Sequence, residues 1–148
     1  MNESTLITNY LAKLVKNNPS ALKLNDDVFF DKKNKNIISI DTYVEKIHFP
    51  NFKKPNLLIK KIIRSSISDL ICKGVIPKFY FISGSGNKKN FSKKNLLKIS
   101  KSLKNEQKKY NISLCGGDTT FSNKLSFTIT SLGYSNNIVY RNKSRLND

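Results

Sequence analysis

The groups in this 148-residue chain best suited to chemistry are carboxylates set beside glycines and strand formers, above all in Cys115-Gly116-Gly117-Asp118-Thr119-Thr120. Glycine permits backbone geometry and close approach that a Cβ forbids. Two glycines at a predicted strand end let the next aspartate offer its oxygens to a metal instead of to its own chain. Five of the ten acidic residues fall into four short clusters: Asp26-Asp27, Asp41, Asp69 and Asp118. In a chain of formal net charge +17, acids gathered beside turn residues point to a polyphosphate–Mg²⁺ site. Carboxylates and water without a His/Cys ligand set favour Mg²⁺ over zinc, and Mg²⁺ is usually completed by substrate phosphates.

Each cluster has a plainer alternative. Asp26-Asp27 opens a predicted strand, where adjacent side chains face opposite ways. One carboxylate can face a cation while the other fixes the loop, or the two are simply a turn pair. Asp41 ends the next predicted strand, seven residues before the sole histidine, His48. A lone histidine is more often structural, although loops after strand ends are where ligands gather. Asp69 sits in a predicted helix interior, where aspartate is disfavoured. Its neighbours Ile67, Leu70 and Ile71 place it at the boundary of a buried face, where a carboxylate persists when paired or metal-bound. The sequence has no Gly-x-x-x-x-Gly-Lys-Ser/Thr loop, and Gly84-Ser85-Gly86 is too short to cradle a phosphate. No Gly-x-Ser-x-Gly or Cys/His pair for nucleophilic catalysis is present either.

The elements that must position these groups follow from periodicity. Residues 4–17 form a predicted amphipathic helix capped by Ser4, with Leu6, Ile7, Tyr10, Leu11, Leu14 and Val15 at helical spacing. Asn17-Asn18-Pro19-Ser20 breaks it. Strands are expected over 28–30 and 37–40 around a polar turn, then a loop marked by Pro50 and Pro55. A second helix spans 56–72 and stops at Gly74, with Pro77 preventing its resumption. A strand over 78–82, a flexible loop over 83–87 and a lysine-rich helix over 92–110 come next. Strands over 112–115, 125–133 and 138–140 complete the set. Leu125, Phe127, Ile129 and Ser131 alternate with Ser126, Thr128 and Thr130, the period of a half-covered sheet. The reading is a single α+β domain over 1–148, with helices on one face of a mixed or antiparallel sheet.

Composition narrows the class. No run approaches the ~20 apolar residues of a membrane span. Met1-Asn2-Glu3-Ser4 has neither the basic nor the apolar part of a secretory signal, so the expected compartment is the cytoplasm. Cys72 and Cys115 form no disulfide framework and are read as buried small hydrophobes. The positive charge invites a nucleic-acid reading. Arginine, the favoured group for bidentate recognition, supplies only three of the 27 basic residues. The lysines also run in pairs along the whole chain, which fits a solvated surface better than a binding stripe.

Taken in order, five motifs resemble those of thiamine-monophosphate kinase. They are Asn25-Asp26-Asp27; Asp41-Thr42-Tyr43-Val44-Glu45 with His48-Phe49; Ser68-Asp69-Leu70 with Gly74 and Pro77; Gly116-Gly117-Asp118-Thr119-Thr120; and Arg141 with Arg145 and Asp148. The resemblance runs from Asn25 to the last residue. It implies a PurM-like N-terminal domain and transfer of the ATP γ-phosphoryl group to thiamine monophosphate, giving thiamine diphosphate. It further implies Mg²⁺ held by residues matching Asp27 (or Asp26), Asp41, Asp69 and Asp118. His48 matches a substrate-site position, and Gly116, Gly117 and Arg141 match ATP contacts. The implied assembly is a homodimer whose sheets join into a barrel. No side chain is implied as acid or base: the acceptor phosphate is already ionised, and alignment with metal screening suffices. The chain departs from the family at Asn25 (usually Gly), Ile40 (Thr), Ser66 (Asn), Cys72-Lys73 (Ala-Met) and Leu146-Asn147 (Pro-Gly). The family also has a second domain that closes over the nucleotide and is not in this sequence, so little activity is expected of the 148 residues alone. The alternatives are a non-catalytic dimerisation or nucleotide-binding PurM-like module, and another ATP-dependent enzyme of that superfamily.

Overall fold

The computed structural model describes residues 2–141 and 143. Residues 3–15 are helical but irregular. One α turn, α1 (Glu3–Leu6), passes into a π-helical Ile7–Leu11 and a 3-10 stretch, Ala12–Val15. The cap is Asn2, whose Oδ1 accepts the Thr5 N–H at 2.9 Å, and not the expected Ser4. None of these residues is buried: among the described residues, nothing covers the apolar stripe. A 3-10 segment, Pro19–Leu24, then carries Leu22, Lys23 and Leu24 at φ of 50°, 58° and 57°. Left-handed backbone costs a residue with a Cβ roughly 1–2 kcal/mol, so this turn delivers Asn25-Asp26-Asp27 under strain.

Strand β1 (Phe29–Asp31) pairs antiparallel with β2 (Asn36–Val44). β2 runs four residues past the expected end. Thr42, Tyr43 and Val44 are strand formers, and each has a partner on the strand that follows last in the chain. Asp41 is therefore inside a strand. Helix α2 (Pro55–Ile71) begins with proline at its first turn, where the missing N–H is harmless, and Gly74 at φ 75° turns the chain away after it. Leu58, Ile59, Ile62, Ile63, Ile67 and Leu70 form its buried face.

Strand β3 (Pro77–Gly86) takes in all but the last residue of the expected loop 83–87, because it is paired on both edges. Helix α3 (Lys93–Tyr110) ends at left-handed Asn111 and returns the chain to β4 (Ser113–Phe121), parallel to β3. Gly116 to Thr120 are thus edge-strand residues and not a turn at a strand end. β5 (Ser126–Tyr134) completes a sheet of order β1-β2-β5-β3-β4. The stretch 138–140 is no strand. Val139 donates one backbone bond to the Lys73 carbonyl at 3.1 Å, and Ile138 packs with Val28, Phe30, Ile37, Leu70 and Val75.

The larger core joins α2 and α3 to one sheet face through Tyr43, Tyr80, Phe127 and Ile129, as the α+β reading expects. The opposite face is open: Ile40, Phe79, Phe81 and Tyr134 are 67%, 37%, 42% and 51% exposed. Both cysteines are exposed, against expectation. Cys72 caps the outer end of α2, and Cys115 is the residue left over where the β3–β4 register shifts.

Candidate functional site

A cleft of about 520 Å³ lies where β2 continues past β1, and Asp26, Asp27, Asp41 and Asp69 all line it, with Ile40 and Arg141. Residues Glu3, Ser4, Ile7 and Thr8 of the irregular N-terminal helix close one side. The strained turn brings in the first two aspartates, β2 the third and the last turn of α2 the fourth.

Each carboxylate has its own environment. Asp26 pairs with the Lys73 ammonium, both side chains only 5% exposed. Burial opposes its ionisation, but the Lys73 ammonium and the backbone N–H groups of Arg141 and Asp27 outweigh that and hold its pKa below the usual value. Asp27 accepts both its bonds from the Arg141 guanidinium, at 2.8 and 2.6 Å. Asp41 accepts the Tyr43 hydroxyl at 3.1 Å, and burial is the main cause pushing that phenol well above its ordinary range. Asp69 accepts the Ser39 hydroxyl at 3.0 Å. Its pKa is raised, first by burial and then by Asp41 and Asp27, against the lowering effect of Ser39. It also stands at the negative end of the α2 dipole, where a carboxylate is disfavoured. A cation in the cleft would relieve that cost.

The donor chemistry fits a hard cation: the cleft's acids are all oxygen donors, with no thiol or imidazole among its lining residues. Among the described residues, no three acidic, histidine or cysteine groups are gathered tightly enough to hold one ion directly. A cation that keeps its water shell, as Mg²⁺ does, suits such spacing.

Other expected site residues lie elsewhere. Asp118 pairs in register with Ser83, which pairs with Thr128, which pairs with Thr42. That puts it three strands from Thr42, about 14 Å at ~4.8 Å per strand, and on the open face, opposite to Asp41. Its Oδ1 accepts the Thr119 N–H at 2.8 Å. His48 is exposed beyond the end of β2, its Nδ1 accepting the Val44 N–H at 3.0 Å, so its proton sits on Nε2. Gly117 has a structural reason to be glycine: a Cβ there would come within 1.8 Å of the Ile82 carbonyl oxygen. Arg145 and Asp148 lie outside the described residues, as do Leu146 and Asn147.

Three contributors escape a reading of the sequence. Ser39 precedes Asp41 by two, the strand period, and was findable on that ground. Tyr43, one period further on, was findable in the same way. Lys73 carried no signal, since a lysine after a helix normally keeps its charge in water.

Fold and site together define a mixed-sheet α+β domain with an acidic cleft at the free edge of one strand. Residues 23–135 match the AIR synthase related protein family, N-terminal domain, and the chain belongs to that family. A curated relative, the thiamine-monophosphate kinase of Haemophilus influenzae, is 36% identical over 113 residues, which are 75% of this chain and 34% of that protein. Two solved structures share the fold at 23% identity, each covering 99% of this chain and 48% of theirs. One is the thiamine monophosphate kinase of Aquifex aeolicus, at a TM-score of 0.75. The other is AaThiL complexed with AMPPCP and TMP, at 0.79. The chain therefore spans about a third of the curated kinase it matches and about half of each structural neighbour. Among the described residues, no helix is long and apolar enough to cross a membrane.

Proposed function

We propose that this chain is the N-terminal, metal- and nucleotide-facing part of a cytoplasmic kinase that transfers the γ-phosphoryl group of ATP to thiamine monophosphate. The observation that carries the reading is the meeting of Asp27, Asp41 and Asp69 on one cleft, in a chain whose curated relative bears that activity's name. A structural neighbour complexed with AMPPCP and TMP supports ATP and thiamine monophosphate as the two substrates.

In this reading Asp27, Asp41 and Asp69 hold Mg²⁺, which would screen the charge of the phosphates and fix their alignment. Ser39 and Tyr43 keep two of those carboxylates aimed by donating to them. Arg141, 61% exposed at its side chain, exchanges Asp27 for a nucleotide phosphate, a bidentate preference of guanidinium. The backbone at Gly116 and Gly117 approaches the nucleotide, and His48 offers Nε2–H to the thiamine substrate. No side chain serves as general base, because the attacking phosphate oxygen is already ionised.

The active assembly is a homodimer closed through the open sheet face, which carries Ile40, Phe79, Phe81 and Tyr134. Asp118, on that same face, joins a metal site only across such a contact. The test is an assay of a protein containing this chain at the full length of its relatives, with Mg-ATP and thiamine monophosphate. Thiamine diphosphate should form, and formation should cease in Asp41→Asn. A folded, full-length dimer that makes none sinks the reading.

A further inference from the structure

Asp26 and Asp27 are neighbours with opposite fates, and Lys73 decides which is which. We propose that Lys73 is a buried cation behind the cleft that withdraws Asp26 from metal binding, leaving Asp27, Asp41 and Asp69 to face a divalent ion. This rests on the metal-binding part of the proposed function.

Lysine usually leaves its ammonium in water, yet Lys73 is 4% exposed. Its backbone is held on both sides. The Lys73 N–H donates to the Leu70 carbonyl at 3.1 Å, its own carbonyl accepts from Val139 at 3.1 Å, and Gly74 at φ 75° turns the chain immediately after. A buried ammonium persists only with a counter-charge, and Asp26 supplies it.

Asp26 is then engaged at three of the roughly four acceptor positions of a carboxylate. Its Oδ1 takes the ammonium and also the Asp27 N–H at 2.9 Å, and its Oδ2 accepts the Arg141 N–H at 3.3 Å. Its side chain is 5% exposed, whereas that of Asp27 is 38% exposed and, among the described residues, is bound only to a solvent-facing guanidinium. Freeing Asp27 strands no charge in the interior, and freeing Asp26 would strand Lys73. Asp26 thus anchors the loop, and Asp27 is the carboxylate available to an ion.

The test is Mn²⁺ binding to the 148-residue chain, read from the paramagnetic resonance of the free ion, with folding checked by circular dichroism. Asp27→Asn should weaken binding roughly tenfold or more, in the range of altered metal shells. The double variant Asp26→Asn/Lys73→Met removes both buried charges together and should bind within about threefold of the parent on the same scale. Lys73→Met alone, where folded, exposes an unpaired Asp26 and should bind Mn²⁺ more tightly. A double variant that loses affinity as Asp27→Asn does overturns the role of Lys73 and leaves the cleft a metal site. A parent chain that binds no Mn²⁺ overturns the metal reading itself.

Discussion

Asp69 sits where its charge is unwelcome, and that conflict can be measured. Its folded pKa lies above the ordinary 3.8, chiefly through burial. The folded chain therefore binds the Asp69 proton more tightly than the unfolded chain does. As pH rises from the unfolded value through the folded one, this residue's contribution to stability falls, and the penalty is complete at neutral pH. Asp69→Asn should accordingly raise the melting temperature at pH 7 in chelator and abolish the stabilisation that added Mg²⁺ gives the parent. A lower melting temperature in chelator would contradict it. Tyr80 is a second misfit. Its hydroxyl is buried without a partner among the described residues, and burial pushes it up to about 12. Tyr80→Phe removes the unsatisfied group and should stabilise by ~1 kcal/mol in urea unfolding. At this scale the scarcity of acids in so basic a chain drew attention to Asp26, Asp27, Asp41 and Asp69, which share one cleft, but equally to Asp118, which lies three strands from Thr42. The sequence hid Lys73, because burial of a lysine depends on a partner 47 positions away in sequence.

Helices were more legible than strands, for a physical reason. The apolar face of α2 and its proline and glycine ends are local signals, and the expected and observed spans agree within a residue. The ends of β2, β3 and β4 depend on which strands stand alongside, and no local pattern records that. Ser83–Gly86 looks like a loop by composition and becomes a strand because both its edges are occupied. The same tight pairing predicts that Gly117→Ala, whose new methyl meets the Ile82 carbonyl, destabilises by roughly 1–3 kcal/mol as an overpacked site does. A neutral result in urea would mean that β4 can draw back from β3. The irregular turn ahead of Asp26 makes the reverse prediction. Lys23 is exposed and left-handed at φ 58°, so Lys23→Gly should relieve about 1 kcal/mol of strain and raise the thermal midpoint by ~2–4 °C.

Taken as a whole, the described residues leave one face of the sheet bare, and exposed rings there are an invitation to a second surface. Phe81 is 42% exposed near the middle of that face. Phe81→Glu should turn a sedimenting dimer into a monomer of about 17 kDa, from the chain mass of 16.9 kDa, without altering circular dichroism. A monomeric parent would reject dimerisation through this face. The strand order has a separate consequence. The central strand, β5, is the last of the five described strands in chain order, so a ribosome must deliver residue 134 before the hairpin of β1 and β2 can be stitched to the β3–α3–β4 unit. Until then the nascent chain holds two unfinished half-sheets, each with a raw edge, and this sheet waits on β5 to close.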